Sequence, residues 1–514
     1  MVADRTRLSA TRQVKAAVWT ACLANFCFGY NTAVIAGALL YMEKDPGLAP
    51  LNSFEQGVIV SCALAGATLG AMMLSLVDRL GRRPTLLLTA WGFVLGPAIT
   101  AAAPHLTLLV VGRVLAGISV GLTSGIVNLY IAEIAPAHVR GELSGLAPFV
   151  GTFGSLVSFV ASLVLGSYWR VQLGMAVSPA LLMLLLQHNL HESPRWVVSH
   201  MMQTSPDAAL SSLQRFFPDA PRAVLDEEIN RLVQASAASD AACSLSLMTR
   251  HTSAFLRGVM LNVLQQVSGI NVVIYFGPTI LASAGFTTSA AMWAMIGVSV
   301  TQLAATMLLV KLVDVVGRRP LALLGLLLMC AGLGVLMVAF SVQGSAAHPR
   351  GLTTSILAVS GMFLFRASFS LSLGPLPYIM TSELFPQEVR AAGVSVSWTA
   401  NWCSNFLVAQ SFPMLHAWLS TRLGAHASMV MIFGGFVAFC FLAFVLVWWT
   451  LPETKGISLE KAGAEQDTVP VAGSLLLPVD SVDDEASAPR TKSHSAWCHR
   501  IGRRRQRPAS EIVV

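Results

Sequence analysis

The segment LVDRLGRRP at residues 76–84 returns nearly unchanged as LVDVVGRRP at residues 312–320. Two further pairs of motifs follow in the same order, namely AEIAPAHVRG (132–141) with SELFPQEVRAAG (382–393), and HESPR (191–195) with PETKG (452–456). Each motif of the first half therefore has a counterpart at the same place in the second half. The repeats predict a chain made of two structurally related halves.

The composition is typical of a membrane protein. Apolar residues make up 54% of the 514 residues and charged residues only 11%, whereas about a quarter of the residues in soluble domains are charged. Mean hydropathy is +0.66. The apolar runs are long enough to cross a hydrocarbon layer of about 30 Å as helices. Twelve spans are predicted, at residues 16–42, 54–77, 85–103, 107–132, 143–166, 171–190, 254–283, 289–313, 321–342, 352–382, 391–418 and 427–450.

The spans and repeats together predict an all-α membrane protein of two six-helix bundles, at residues 16–194 and 254–456. Such repeats are typical of proteins whose bundles rock around a site at the membrane midplane. The polar segment 195–253 is predicted to form short amphipathic helices, giving a small intracellular helical segment. Residues 1–15 are predicted to be a cytoplasmic N-terminus. The tail at 457–514 is rich in Ser, Ala, Pro and charge and is predicted to be disordered.

The distribution of Lys and Arg predicts the orientation in the membrane. These residues concentrate at the N-terminus and in the loops around 79–83 and 311–319, so both termini are expected to be cytoplasmic, and the plasma membrane is the expected location. The net charge of +7 follows from this asymmetry and the basic tail, so no nucleic-acid partner is expected. In the tail, RQRPAS fits a basophilic kinase site at Ser510 and the final EIVV fits a ligand of a peptide-binding domain, so cytosolic tail-binding proteins are one interpretation. The alternative is that both motifs occur by chance.

Taken with these repeats, the motifs QQVSGIN (265–271), GPLPY (374–378) and NWCSNF (401–406) make the chain resemble the sugar porter family of the major facilitator superfamily. The resemblance extends over about residues 15–458. It implies the major facilitator fold and the transport of a monosaccharide, such as the hexoses glucose or fructose, by alternating access. No enzyme activity, cofactor or metal site is expected, since no nucleophile–base set or metal-ligand spacing is present.

The resemblance also implies a role for the charges at the cytoplasmic helix ends. In the family, such charges hold the bundles together when the protein opens outward and separate when it opens inward. The alternative is a set of positive-inside charges with incidental partners. The residues of this cytoplasmic latch would be Asp78, Arg79, Arg82, Arg83, Glu133, Arg140, Asp314, Arg318, Arg319, Glu383 and Arg390.

Side-chain amides suit a sugar because one group both donates and accepts hydrogen bonds, as hydroxyls do. Gly269 and Ser268 are expected to loosen the seventh span, as in helices that line a cavity. The alternative is that these polar residues only pack or face lipid. Carried over from the family, the predicted sugar contacts are Gln265, Gln266, Asn271, Gln302, Tyr378, Asn401 and Trp402, and Tyr275 is the predicted outer gate.

Several positions depart from the family's pattern. Pro148 stands where the family has a sugar-binding Gln, and Tyr378 replaces the usual Trp. Gln302 replaces the usual Asn of span 8 and keeps an amide there. Arg366 lies about midway along span 10, where a charge is costly and suggests function. One interpretation is that Arg366 pairs with an anionic cargo, such as a sugar acid or another organic anion. The alternative is that its side chain only turns inward to backbone carbonyls and water.

The position of Asn31 decides the expected mode of transport. Symporting members of the family carry Asp there, paired with an Arg that this chain keeps as Arg113. No acidic residue falls in the interior of a predicted span, since Glu55 lies at the outer end of its span, and an amide cannot carry a proton. The sequence therefore predicts uniport, with Arg113 bonded to Asn31 or nearby backbone. The alternatives are a proton-coupled sugar or polyol (myo-inositol) symporter, coupled through Glu133, and a transporter-like sugar sensor.

Overall fold

The computed structural model of the chain describes residues 8, 11–45, 47–48, 50–74, 79–136, 138–201, 206–239, 251–343, 352–385, 389–451 and 453. Within these residues every regular element is helical. The first half contains α1 (Arg12–Met42), α2 (Ser53–Met72), α3 (Arg82–Ala102), α4 (Leu106–Ile134), α5 (Arg140–Leu165), α6 (Trp169–Gly174) and α7 (Val177–Leu185).

Three helices follow in the polar segment between the halves, α8 (Pro194–Met201), α9 (Pro206–Phe216) and α10 (Arg222–Ser239). The second half contains α11 (Thr252–Val267), α12 (Ile270–Ser283), α13 (Thr288–Val316), α14 (Arg318–Gln343), α15 (Leu352–Ser370), α16 (Leu376–Leu384), α17 (Arg390–Leu423) and α18 (Ala425–Thr450). A helix or a pair of consecutive helices lies at each of the twelve predicted spans.

Nine helical segments of the described chain are long and apolar enough to cross a membrane, with α11 and α12 taken as one segment. The other predicted spans fall on the pair α6 and α7, the pair α15 and α16, and the more polar helix α17. Two of these three spans are divided into two consecutive helices. The predicted all-α membrane fold is confirmed.

Close approach of small residues explains the packing of α2 against α4. A Cβ added at Gly66 would lie 2.2 Å from the carbonyl oxygen of Val114, and one at Gly121 would lie 2.1 Å from that of Ala67. Side chains larger than hydrogen would push the two backbones apart at both places. Small residues along a membrane helix allow the backbones of two helices to approach this closely. The close approach strengthens the dispersion attraction between them.

The two halves repeat the same pattern of long helices packed side by side. In the first half α2 and α3 pack on α4, and α1 packs on α5; in the second half α14 packs on α15 and α18, and α11 packs on α17. Across the halves, α2 contacts α17, α5 contacts α13 and α1 contacts α12. The central helices α1, α5, α12 and α13 therefore surround the space between the halves.

Two predicted spans are broken near their centres. The seventh divides at Gly269, whose φ of 84° lies in the left-handed region, so the predicted loosening of this span is confirmed. A Cβ there would also lie 2.8 Å from the ring of Phe436. The tenth span divides between Ser370 and Leu376, around Gly374. Each break leaves backbone groups without a helical partner inside the protein.

The repeated motifs form the same structure in both halves. Gly81 and Gly317, with φ of 96° and 101°, precede α3 and α14. Glu192 accepts hydrogen bonds from the backbone N–H groups of Arg82 and Arg83. Glu453 accepts from those of Arg318 and Arg319 in the same way. A glutamate of the HESPR or PETKG motif thus caps a helix N-terminus, where negative charge is favourable.

The face that carries Arg82, Glu133, Glu192 and Arg318 is called here the Arg-rich face, and the other end of the spans is called the opposite face. Towards the opposite face, the halves are joined by α2 and α17. Ser61 donates a hydrogen bond of 2.6 Å to Oε1 of Gln410, and Nε2 of Gln410 lies 3.4 Å from the carbonyl of Phe54. These contacts close the space between the halves on that side.

Gly57 is expected to be essential for this closed contact. A Cβ at Gly57 would lie 2.8 Å from Nε2 and 3.0 Å from the carbonyl oxygen of Gln410. Gly57→Leu would therefore strain the closed conformation alone, by about 1–3 kcal/mol. We expect faster hydrogen–deuterium exchange at the opposite-face ends of α2 and α17. Gly435→Leu is the control, because a Cβ there meets nothing within 4 Å. Unchanged exchange in Gly57→Leu would contradict the prediction.

Candidate functional site

Four of the predicted sugar-contacting amides meet in one buried cluster between α11, α12 and α17. Nε2 of Gln266 donates to Oδ1 of Asn401 at 2.9 Å and to Oε1 of Gln265 at 3.1 Å. Nδ2 of Asn401 donates to the same Oε1 of Gln265 at 2.6 Å. Asn271 donates to Oε1 of Gln266. The structure therefore brings together residues that lie far apart in the sequence.

Gln265 also connects the two broken spans. Its Nε2 donates to the carbonyl oxygens of Leu373 and Gly374, each at 2.7 Å. These carbonyls lie in the break between α15 and α16, where a continuous helix would have satisfied them. Because a buried carbonyl without a partner is costly, Gln265 compensates the break in the tenth span. One side chain thus links the amide cluster to the break in the tenth span.

Two further asparagines belong to this region and were missed in the sequence. Asn262 donates to Oγ1 of Thr381 at 3.0 Å and accepts from Nδ2 of Asn401. Asn405 donates to the hydroxyl of Tyr275 at 3.3 Å. A signal was available, because Asn262 precedes Gln266 by four residues and Asn405 follows Asn401 by four. On a helix this spacing places side chains on one face. The amide cluster is Asn262, Gln265, Gln266, Asn271 and Asn401.

The aromatic residues predicted to contact sugar lie in different surroundings. Trp402 is buried, its ring meets Phe28 of the first half edge-on at 6.1 Å, and its indole N–H is buried without a partner in the described chain. Tyr378 is 42% exposed and packs on Trp398 at 4.2 Å. Trp402 is therefore placed between the halves, next in sequence to Asn401 of the amide cluster.

Asn31, Arg113 and Tyr275 line one cavity between the halves, called the Arg113 cavity. Asn31 donates to the carbonyl of Cys27 at 2.9 Å, and no hydrogen bond joins it to Arg113 in the described chain. Of the two partners expected for Arg113, Asn31 or nearby backbone, Asn31 therefore makes no hydrogen bond with it among the described residues. Arg113 is buried, and its Nε has no hydrogen-bond partner among the described residues. A fixed positive charge thus faces this cavity.

Gln302 lines a second cavity and makes no hydrogen bond with the amide cluster among the described residues. Its Oε1 accepts hydrogen bonds from Nε of Arg366, at 3.2 Å, and from a terminal nitrogen of the same guanidinium. Both residues line a space, called the Arg366 cavity, that shares Thr32 with the Arg113 cavity. Pro148 lies within α5 and is exposed, and its side chain offers no hydrogen bond to this site.

The predicted latch residues form contacts within the first half. Nε and NH2 of Arg82 donate to the two carboxylate oxygens of Glu133, at 3.0 and 2.9 Å, and both side chains are buried. A bidentate pair of this kind is among the stronger charge-assisted contacts. It fixes the end of α4 to the start of α3. Arg140 lies 3.4 Å from the carbonyl of Ala135, also within its own half.

The remaining latch residues are only partly described. Arg319 donates to the carbonyl of Trp448 at 2.7 Å, and Arg318 donates to that of Val313 at 3.2 Å. Arg79 and Arg83 are exposed. Asp78, and the side chains of Asp314, Glu383 and Arg390, lie outside the described residues. A latch between the bundles therefore stays a prediction, while the described ion pair on this face connects helices of one bundle.

The helices, the two-fold repeat and the buried polar sites between the halves define a multi-pass membrane protein of the major facilitator fold. A solved structure has the same fold. The proton:xylose symporter XylE from E. coli, with bound 6-bromo-6-deoxy-D-glucose, aligns with a TM-score of 0.72 and 28% identity. The alignment covers 88% of this chain and 99% of that one.

Residues 17–465 match the family model described as "Sugar (and other) transporter", and the chain belongs to this family. It is 33% identical to the galactose-proton symporter of E. coli over 451 residues, covering 86% of this chain and 91% of the relative. It is also 33% identical to plastidic glucose transporter 4 of Arabidopsis thaliana over 449 residues, covering 86% and 79%. These findings support sugar transport as the general function, and the protein is a membrane transporter rather than an enzyme.

Proposed function

We propose that the protein carries a monosaccharide across the membrane by alternating access, with the amide cluster as the centre of the binding site. The observation that carries the proposal is the hydrogen-bonded set of buried amides at the break of two spans. Amides inside apolar helices are costly unless they are bonded, and they match the donor and acceptor pattern of sugar hydroxyls. Trp402 supplies an aromatic face and an unused donor beside them.

The mode of transport is proposed as uniport, on the chemistry of the described spans. Asn31 cannot titrate, and no described Asp or Glu lies in the middle of a span; Glu55, Glu133 and Glu142 all lie in terminal turns. Arg113 keeps its proton at any physiological pH. Among the residues that line the Arg113 cavity, therefore, no carboxylate is present to carry a proton past it.

Proton-coupled symport is the second candidate, and the comparisons favour it. Both XylE and the galactose-proton symporter are named as proton symporters, and these relatives span nearly the whole bundle region of this chain. Coupling here would need a group other than Asn31, such as the buried Glu133 that pairs with Arg82. Predicted uniport is thus supported by the residues, and predicted symport by the relatives.

Purified protein in liposomes separates the two modes. Radiolabelled D-glucose, D-galactose and D-xylose would be offered with and without an imposed pH gradient. Uniport predicts that each transported sugar equilibrates and that an uncoupler leaves the final level unchanged. Uphill accumulation that an uncoupler abolishes would establish symport instead. Absence of flux for every sugar would contradict the proposed function itself and favour a sensor.

Asn31→Asp is expected to make uptake depend on external pH. The new carboxyl would lie in the Arg113 cavity and could gain and lose a proton as the cavity changes sides, so uptake should rise several-fold as the external pH falls from neutral to mildly acidic. The measurement is initial sugar uptake across that pH range. Asn230→Asp, the same change on exposed helix α10, is the control. A flat pH profile in both variants would contradict the role given to position 31.

The location and partners are proposed on the sequence. The concentration of Lys and Arg at the Arg-rich face supports cytoplasmic termini. The plasma membrane is the proposed location, although the plastidic relative shows that similar chains also serve another membrane. Cytosolic proteins that bind the tail are proposed from the motifs RQRPAS and EIVV alone, and these motifs lie outside the described residues.

A further inference from the structure

Arg366 lies where a positive charge is hardest to accommodate. It occupies the middle of the tenth span, on α15, and 7% of its surface is exposed. Moving a cation from water into such a place costs several kcal/mol unless a partner compensates it. A charge that persists there requires a compensating group, either in the protein or in what the protein binds.

The described protein supplies only part of that compensation. Gln302 accepts hydrogen bonds from two nitrogens of the Arg366 guanidinium through a single oxygen. The ring of Phe369 lies 5.9 Å away. The ion pairs of the described chain do not include Arg366. A guanidinium has five N–H donors, so one neutral acceptor leaves donors that can bind a further group.

The surroundings of Arg366 are those of a binding site for a hydroxylated molecule. The Arg366 cavity is lined by Gln302 and by the hydroxyl-bearing residues Thr32, Ser155 and Ser299, with apolar side chains between them. Thr32 also lines the Arg113 cavity, where Arg113 is a second buried cation. The space between the halves thus presents two fixed positive charges, and no described carboxylate lies beside either.

We propose that the cargo is a sugar acid, an aldonate or uronate, whose carboxylate binds Arg366. This inference rests on the proposed function and specifies its substrate class. Guanidinium and carboxylate form paired, charge-assisted hydrogen bonds, while Gln302 and the amide cluster match the hydroxyls of the same cargo. Arg366 is then the residue that determines specificity for an acid over a neutral sugar. The positive cavity also disfavours a cation as a co-transported ion.

The test compares D-glucuronate with D-glucose in liposomes that contain the purified full-length protein. The two molecules differ in a carboxylate at one carbon, so the ratio of their uptake reports on the charge. Charge-assisted bonds should lower the half-saturation concentration of D-glucuronate about tenfold or more relative to D-glucose. An inside-positive potential should accelerate uptake of the anion and leave D-glucose uptake unaffected.

Arg366→Met, which removes the charge and keeps the side-chain length, should reduce the glucuronate-to-glucose uptake ratio about tenfold. Arg366→Lys should retain most of the preference. Gln302→Glu provides an independent variant, since its carboxylate would neutralise Arg366 in place and should also abolish the preference. Arg222→Met on exposed helix α10 is the control and should keep the ratio of the unmodified protein. An unchanged ratio in both Arg366→Met and Gln302→Glu would overturn the proposal.

The outcomes separate the two proposals. Transport of D-glucose without transport of, or competition by, D-glucuronate would overturn the sugar-acid inference and leave the proposed function standing. D-Glucose uptake that requires chloride would assign Arg366 to an inorganic anion and would also overturn it. No uptake of either molecule, by protein that is monodisperse and folded, would contradict the proposed function as a whole.

Discussion

Gln265→Ala is expected to reduce sugar uptake by one to two orders of magnitude. The change leaves the carbonyls of Leu373 and Gly374 without a donor and removes an acceptor from Gln266 and Asn401. Each buried polar group left unpaired costs about 1–3 kcal/mol, and two or more are affected. Both the binding site and the geometry of the break in the tenth span therefore change. Initial uptake rates over a range of sugar concentrations measure the effect.

Gln187→Ala is the matched control for that variant, because Gln187 is exposed and lies outside the amide cluster. It should transport like the unmodified protein. Gln265→Glu keeps an acceptor for Asn401 and loses the donor to the carbonyls, so it separates the two roles of the side chain. Normal uptake by Gln265→Ala would show that the binding site is misplaced.

Glu133→Ala is expected to destabilise the protein by about 3–5 kcal/mol. The guanidinium of Arg82 is buried beside Glu133 and donates hydrogen bonds to both of its carboxylate oxygens. Without Glu133 this guanidinium loses both charge-assisted bonds, at a helix N-terminus where positive charge is itself unfavourable. Thermal unfolding in detergent, followed by tryptophan fluorescence, measures the loss.

Two variants make this second prediction specific. Glu227→Ala changes an exposed carboxylate on α10 and should leave the unfolding temperature nearly unaltered. The double variant Arg82→Met with Glu133→Leu removes both charges together and should recover most of the stability. Equal unfolding temperatures for Glu133→Ala and Glu227→Ala would mean that the buried pair contributes nothing to stability.

The fold could be predicted because two patterns in the sequence, the apolar runs and the internal repeats, each restrict the possible structures. Long apolar runs require helices that span a membrane, and the repeated segments 76–84 and 312–320 require two similar halves. The amide cluster was partly predictable too, since polar side chains in apolar spans need partners. Asn262 could have been added from its four-residue spacing to Gln266, which places both side chains on one helix face.

Other features could not be read from residue types. The partners of Gln265 are backbone carbonyls, and these become acceptors only because a distant helix breaks at that level. The capping role of Glu192 and Glu453 depends on the chain turning back onto the start of another helix. Likewise, Arg366 and Gln302 lie in separate spans, and their contact depends on how α13 and α15 rotate about their axes.

The hydrogen bonds within the amide cluster have a consequence for affinity. A sugar that enters finds several of the donors and acceptors already engaged with one another, so some of its new bonds replace existing ones. Binding is then an exchange of nearly equal partners, with a small net gain in free energy. Weak binding of this kind favours rapid release of the solute. The transport rate is then greatest at high solute concentration.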